Sequence, residues 1–238
     1  MPPTTGRCPS LTAAVGWRGA SVSLVAGTIL AALACPDVAV ADQAAASFET
    51  AREGSRGTSW DVGVSVSAYL FTNQVDFLQP TVAVDHGALH LEGRYNYEAL
   101  RTGSLWIGWN FEWGESPKIA LTPLLVGVLG DVHGIAPGFE ANLSWGPVEF
   151  YWEGEYIFDV TQWPVFLFLT QSELSARPLE WLRLGGAAQR NRALSKARQV
   201  QWGPLVAVNV WKVYASVYWL NPGQANIQYW VASLGADF

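Results

Sequence analysis

From Trp60 onward the chain keeps a period of two, and that period admits few folds. WDVGVSVSAYL (60–70) places Trp60, Val62, Val64, Val66, Ala68 and Leu70 on one face and Asp61, Gly63, Ser65, Ser67 and Tyr69 on the other. TGSLWIGWNFEW (102–113) sets Leu105, Ile107, Trp109, Phe111 and Trp113 opposite Trp106, Gly108, Asn110 and Glu112. In VEFYWEGEYIFD (148–159) one row is Phe150, Trp152, Gly154, Tyr156 and Phe158, and the other carries Glu149, Glu153, Glu155 and Asp159. Successive side chains alternate across a strand, whereas a helix would sort residues at a spacing of about 3.6.

About twelve such segments follow one another, over 60–71, 76–84, 88–98, 102–113, 118–129, 134–145, 147–159, 163–176, 180–190, 199–209, 212–221 and 226–238. Ten or fourteen strands also fit the pattern. The connections alternate in kind. DHGA, GESPK, WGP, ARPL and VWK are tight, while NYEALRTG, GDVHGIAPG and RNRALSKARQ are longer or more polar. Short turns at one rim and longer loops at the other are the layout of an outer-membrane barrel. The predicted fold is all-β, a transmembrane antiparallel up-and-down β-barrel of about 12 strands.

Composition separates this from a soluble all-β domain. Thirteen Trp, eight Tyr and ten Phe accompany only 14% charged residues, against about a quarter in typical soluble domains. A water-facing exterior is hard to furnish from so few charges, and the apolar row is unusually aromatic. Trp and Tyr near strand ends suit interfacial girdles. No run of 18 apolar residues offers a transmembrane helix. The formal charge of −6 argues against nucleic acid as a partner, because phosphate neutralisation needs clustered Lys and Arg.

The first 41 residues read as a secretory signal peptide. Arg7 and Arg18 precede the apolar stretch SVSLVAGTILAALA (21–34), and Ala39-Val40-Ala41 predicts cleavage after Ala41. Removal of 1–41 takes away both cysteines, Cys8 and Cys35, and leaves 12 basic against 19 acidic residues. The segment 42–59, DQAAASFETAREGSRGTS, reads as a flexible periplasmic lead-in to a barrel over 60–238.

Along the final segment Trp230, Ala232, Leu234, Ala236 and Phe238 alternate and end on an aromatic ring. This resembles the C-terminal signature of bacterial outer-membrane β-barrel proteins. The resemblance implies that Trp230, Leu234 and Phe238 form an assembly signal read by the barrel assembly machinery, and that the protein resides among outer-membrane lipid. It names no substrate.

With the aromatic rows facing lipid, the opposite rows line the lumen. ALHLEGRYNYEA (88–99) then sends His90, Glu92, Arg94, Asn96 and Glu98 inward, and Leu89, Leu91, Tyr95 and Tyr97 outward. Glu112, Glu140, Glu149, Glu153, Glu155, Asp159, Glu173, Arg183 and Lys212 join the lumen. Carboxylates outnumber bases, so Arg94 and Arg183 are expected to bridge several acids. Two functions follow: a structural charge network filling the barrel, or a narrow porin-like passage with a cation preference, since rings of Asp and Glu set such preference. A hydrolase acting on lipid or peptide is the enzymatic alternative. Its candidates are Asp131 and His133 in GDVHG, the pair Glu153 and Glu155, and His90 beside Glu92, because a general base needs an orienting carboxylate. Same-face pairs at i and i+2 arise in any strand, which weakens that reading. The scattered His86, His90 and His133 show no metal-ligand spacing, and no cofactor motif appears. Arg190, Arg192, Lys196 and Arg198 form a basic stretch able to meet lipopolysaccharide phosphates, or to serve as a solvated hairpin loop. A surface interaction role through the loops is the third class.

Overall fold

The computed structural model describes residues 59–160, 166–193 and 199–238. The predicted signal peptide, nearly all of the lead-in, and Lys196 and Arg198 lie outside the described residues. Among the described residues, thirteen strands form one antiparallel sheet: β1 (Trp60–Phe71), β2 (Phe77–His86), β3 (Leu89–Tyr95), β4 (Thr102–Trp109), β5 (Phe111–Trp113), β6 (Lys118–Gly130), β7 (Gly134–Trp145), β8 (Val148–Asp159), β9 (Phe166–Leu179), β10 (Leu182–Ala193), β11 (Gln199–Val210), β12 (Val213–Leu220) and β13 (Tyr229–Asp237). Chain neighbours pair except β4 and β5, which both pair with β6, and β1 pairs with β13 through nine residue pairs from Gly63–Asp237 to Phe71–Tyr229. The sheet therefore closes.

The barrel has twelve staves, because β5 prolongs β4. Both pair with β6, and the register running from Thr102–Gly130 to Gly108–Leu124 continues unbroken in Phe111–Leu121 and Trp113–Ile119. Asn110 interrupts the stave, yet its amide still donates to the Ala88 carbonyl at 2.7 Å. Following paired residues round the barrel returns to β1 about 14 positions further along, which for twelve strands means a tilt of roughly 40° and a backbone radius of about 12 Å. A twelve-residue strand at that tilt rises about 30 Å, the thickness of a bilayer's hydrocarbon core.

The outward rows are apolar. Val64, Val66, Leu91, Leu105, Ile107, Leu125, Leu174, Leu184, Val206 and Leu234 stand exposed along the staves. Rings mark both ends of this band. Trp60, Trp113, Trp145, Trp181 and Trp211 are exposed at the rim of the short turns, and Tyr95, Trp202 and Trp230 near the other. Two such belts of rings bounding an apolar band match the layout of the aromatic girdles that flank the lipid-facing band of transmembrane β-barrels. Connections at the first rim, such as Gly87–Ala88, Gly146–Pro147 and Trp211–Lys212, are two to four residues long; those opposite, such as Asn96–Arg101 and Asn221–Gln228, reach eight.

One strand departs from the sequence expectation. The segment expected over 88–98 ends at Tyr95, because Asn96 takes a left-handed φ of 61° and turns the chain. Asn96 donates from Nδ2 to the Leu78 carbonyl, and the connection folds into the barrel mouth, burying Tyr97, Glu98 and Ala99 together. Tyr97 is thus an inward residue, not the outward one that strict alternation predicts.

Inside, small residues leave room for large ones. A Cβ placed on Gly235 would lie 2.2 Å from the Tyr214 ring, and one on Gly203 would lie 1.8 Å from the Trp219 carbonyl oxygen. At the long-loop end the inward row is itself apolar: Tyr69, Phe77 and Tyr229 stack there, with Trp106, Val126, Val128, Ala136 and Ile157 fully enclosed.

The lipid-facing assignment predicts a depth-dependent cost of charge. Leu125 lies mid-strand and is 53% exposed, so Leu125→Arg is expected to lower unfolding free energy in lipid vesicles by about 2–4 kcal/mol. Trp145→Arg, at a girdle position 70% exposed, should cost about 0–1 kcal/mol. Equal, near-zero effects in urea titrations would mean that the exterior faces water.

Candidate functional site: a charged vestibule beneath a buried arginine

The short-turn rim opens into a vestibule of about 1180 Å³. Asp61, Asp85, Glu112, Glu115, Glu140, Glu149 and Asp237 line it, against the bases Lys118, Arg177 and Lys212. Seven carboxylates facing three bases give the cavity a negative potential, concentrated by the low-dielectric wall around it. Near its mouth Arg177 pairs with Glu149 at 3.1 Å and Lys118 with Glu112 at 3.3 Å. Asn142 donates to the other Glu149 oxygen at 3.1 Å.

The vestibule reaches Glu140, which Arg94 holds from behind. Strand period two sends His90, Glu92 and Arg94 of β3 to the same side, and the barrel's curvature brings them opposite Glu140 of β7 and Glu153 of β8. The guanidinium donates from Nε to Glu92 at 2.6 Å, from Nη2 to Glu140 at 2.9 Å and from Nη1 to Glu153 at 2.8 Å. Its Cζ lies 3.9 Å from the Trp106 ring centre and 4.4 Å from that of Tyr97, so the cation is also held by two π faces. Tyr97 and Tyr151 both donate hydroxyl hydrogen bonds to Glu153, the latter at 2.6 Å. All of these side chains are buried. Guanidinium geometry explains the residue type: the planar fork reaches both oxygens of Glu92 and of Glu153 and still donates to Glu140, more hydrogen bonds than the three donors of a lysine supply.

Glu173 centres a second network. It accepts from Gln171 at 2.7 Å and Tyr218 at 2.9 Å, and Arg183 lies 3.5 Å away. Gln189 donates to Gln171 and accepts from Tyr229, carrying the chain of hydrogen bonds toward the long-loop rim. Arg94 thus gathers Glu92, Glu140 and Glu153, while Arg183 meets Glu173. Glu149 belongs to the vestibule mouth, and Asp159 is buried at the far end of β8, beside Gly134.

Glu98 and Glu155 sit above the arginine cluster. Both are buried, and neither carboxyl has a hydrogen bond of ordinary geometry among the described residues. In the β3–β4 connection, burial pushes the Glu98 carboxyl up to about 7.

Several sequence candidates fall elsewhere. Asp131 is gripped by Arg101 at 2.6 Å on the exposed loop rim, and His133 is exposed beside it, linked to Val160 through its backbone carbonyl. The arginine, not the histidine, is the partner described for Asp131. Arg190 points its guanidinium at the Phe168 ring, 5.5 Å from the centre. The Arg192 side chain, with Lys196 and Arg198, lies outside the described residues. Trp230, Leu234 and Phe238 share the outward face, and Phe238 exchanges backbone hydrogen bonds with Val62. Sequence reasoning missed Asp85, Tyr151, Tyr218 and the glutamines. Their only signal was an inward position, shared by dozens of residues.

The sequence matches no family model and no curated protein. In solved structures the chain is similar to the Acinetobacter baumannii outer membrane protein Omp33, with a TM-score of 0.44 and 10% identity over 76% of this chain and 99% of that one. It is also similar to Pseudomonas aeruginosa OpdQ, with a TM-score of 0.36 and 8% identity over 71% of this chain and 57% of that one. A third is a loop-deleted form of OmpT, an outer membrane protein of Vibrio cholerae, with a TM-score of 0.33 and 9% identity over 76% of this chain and 98% of that one.

Glu98 makes stability depend on pH in a fixed direction. Its folded value near 7 exceeds the unfolded 4.5, so its contribution is fully present below pH 4.5 and is lost as pH rises through about 7. The full loss amounts to about 3 kcal/mol. Glu98→Gln stays neutral, and its urea midpoint should fall less than that of the wild type between pH 4.5 and pH 8. Parallel curves for the two proteins would show that Glu98 ionises freely.

Proposed function

We propose that the protein is an outer-membrane pore of low conductance that favours cations and is held closed by its own lumen. The observation that supports this most is the change of lining along the barrel. An acid-rich vestibule of about 1180 Å³ leads inward from the short-turn rim, and ends at a buried guanidinium capped by the Tyr97–Ala99 connection and by an apolar stack. Carboxylate linings concentrate cations and repel anions. In this reading the short turns face the periplasm and the long loops face outward, the usual orientation of such barrels.

The cap has one part outside the ladder. Asn96–Arg101 is held by side-chain hydrogen bonds and by the Asn96–Thr102 backbone bond, whereas the stacked Tyr69, Phe77 and Tyr229 stand on paired strands. Passage of ions therefore calls for movement of Tyr97 and its neighbours, not of the barrel wall. A barrel that only fills space has the same girdles and the same closure, but gains nothing from an open, one-sided acidic cavity.

Planar-bilayer recording checks the proposal. Wild-type protein is expected to give small, infrequent openings with cation over anion preference. Tyr97→Ala, which empties the cap, should raise conductance severalfold, and Glu112→Gln combined with Glu149→Gln should reduce the cation preference. No conductance from either the wild type or Tyr97→Ala would overturn the pore reading.

A further inference from the structure

We propose that His90, Glu92 and Glu140 form a binding site for a divalent first-row transition cation at the inner end of the vestibule. The site does not depend on whether the barrel conducts. The three side chains are buried, and one donor atom from each lies within 4.8 Å of the others. His90 Nε2 stands 3.4 Å from a Glu92 oxygen, which is the spacing of two ligands each about 2.1 Å from a tetrahedral ion.

The imidazole is set up from behind. Asp85 Oδ1 lies 2.8 Å from His90 Nδ1, and Asn110 Nδ2 donates to the same oxygen at 2.8 Å. Thr122 Oγ1 donates to Asn110 Oδ1 at 2.6 Å, extending the chain to β6. A carboxylate on Nδ1 fixes the tautomer whose Nε2 carries the lone pair, and that nitrogen points toward Glu92 and Glu140. Carboxylate–histidine–metal arrangements are built this way.

Charge favours the same occupant. Arg94 is ion-paired with three glutamates at once, Glu92, Glu140 and Glu153, and one guanidinium cannot neutralise three carboxylates. Buried excess negative charge is costly, and a dication between Glu92 and Glu140 offsets it. Arg94 meanwhile orients both carboxylates. One nitrogen and two oxygens suit zinc and its first-row neighbours, whereas calcium and magnesium prefer all-oxygen cages with more ligands. Asp85, Thr122 and Glu140 line the vestibule, so an ion from the short-turn side reaches the site without crossing the apolar stack.

The test is calorimetric titration of zinc into full-length, chelator-stripped protein folded in detergent, with the visible spectrum of added cobalt as a second readout. Expected are saturable one-site binding at micromolar zinc, a cobalt band typical of nitrogen and oxygen ligands, and a zinc-dependent rise in the wild-type unfolding temperature. His90→Ala and Glu140→Gln should each weaken binding by at least tenfold, and Asp85→Asn by about 10–100-fold. Asp131→Asn, at the opposite rim, should bind as the wild type does. Absence of saturable binding and of thermal stabilisation in the wild type would overturn the proposal. So would wild-type affinity in a folded His90→Ala protein.

Discussion

The ladder between β1 and β13 is the constraint on which everything else in this barrel rests. In hydrocarbon no water can hydrogen-bond a free strand edge, and each unsatisfied backbone group would cost several kcal/mol. Nine residue pairs from Gly63–Asp237 to Phe71–Tyr229 remove the two edges that a sheet of this length would otherwise expose. Closure then fixes the rest of the geometry. With twelve staves and a stagger of about 14 residues, the backbone radius is about 12 Å, and inward side chains from opposite walls nearly meet. A lumen this narrow has no room for long inward side chains on every wall, so Gly235 is cut back where the Tyr214 ring presses against it.

The same narrowness governs the charges. Glu92, Glu140 and Glu153 come from three different strands, yet all lie within reach of one guanidinium because the interior is only a few side chains across. Pulling water away from these groups is expensive, and the cluster recovers that cost through the full use of the Arg94 fork, two ring faces and two tyrosine hydroxyls. Where the lumen widens toward the short-turn rim, the acids remain hydrated and need fewer partners. The contrast between a tightly bonded waist and a wet, acidic vestibule is therefore a consequence of radius and side-chain size, before any function is considered.

Much of this was legible in the period-two pattern. It separated Glu149, Glu153 and Glu155 from Phe150, Trp152 and Tyr156, and twelve segments correspond to twelve staves. Two features were not legible. NYEA reads as more strand, and nothing local shows that Asn96 turns left-handed and carries Tyr97 inward. Nor does composition tell the lipid-facing row from the inner one near the long loops, where Val126 and Val128 inside alternate with Leu125 and Leu129 outside. Which acids meet Arg94 is a matter of register summed over β3 to β8, a long-range quantity that no window of sequence contains. Prolines posed the opposite difficulty: Pro80, Pro123, Pro137 and Pro204 sit within strands, where a central ladder normally rejects them, and all four face outward.

The vestibule and the waist also explain each other. A cavity lined by seven carboxylates and three bases attracts cations whether or not they pass through. At its inner end Arg94 offers a positive charge already engaged with three glutamates, so an arriving cation meets carboxylates whose orientation is set but whose charge is only partly cancelled. His90 adds a ring nitrogen to that group, backed by Asp85, which lines the vestibule. Above it aromatic and aliphatic side chains dominate the lining, with the buried carboxyls of Glu98 and Glu155 set among them. A cation entering from the short-turn side thus meets the acidic vestibule first and the Arg94 cluster next, and in the proposed pore the Tyr97 connection stands beyond both.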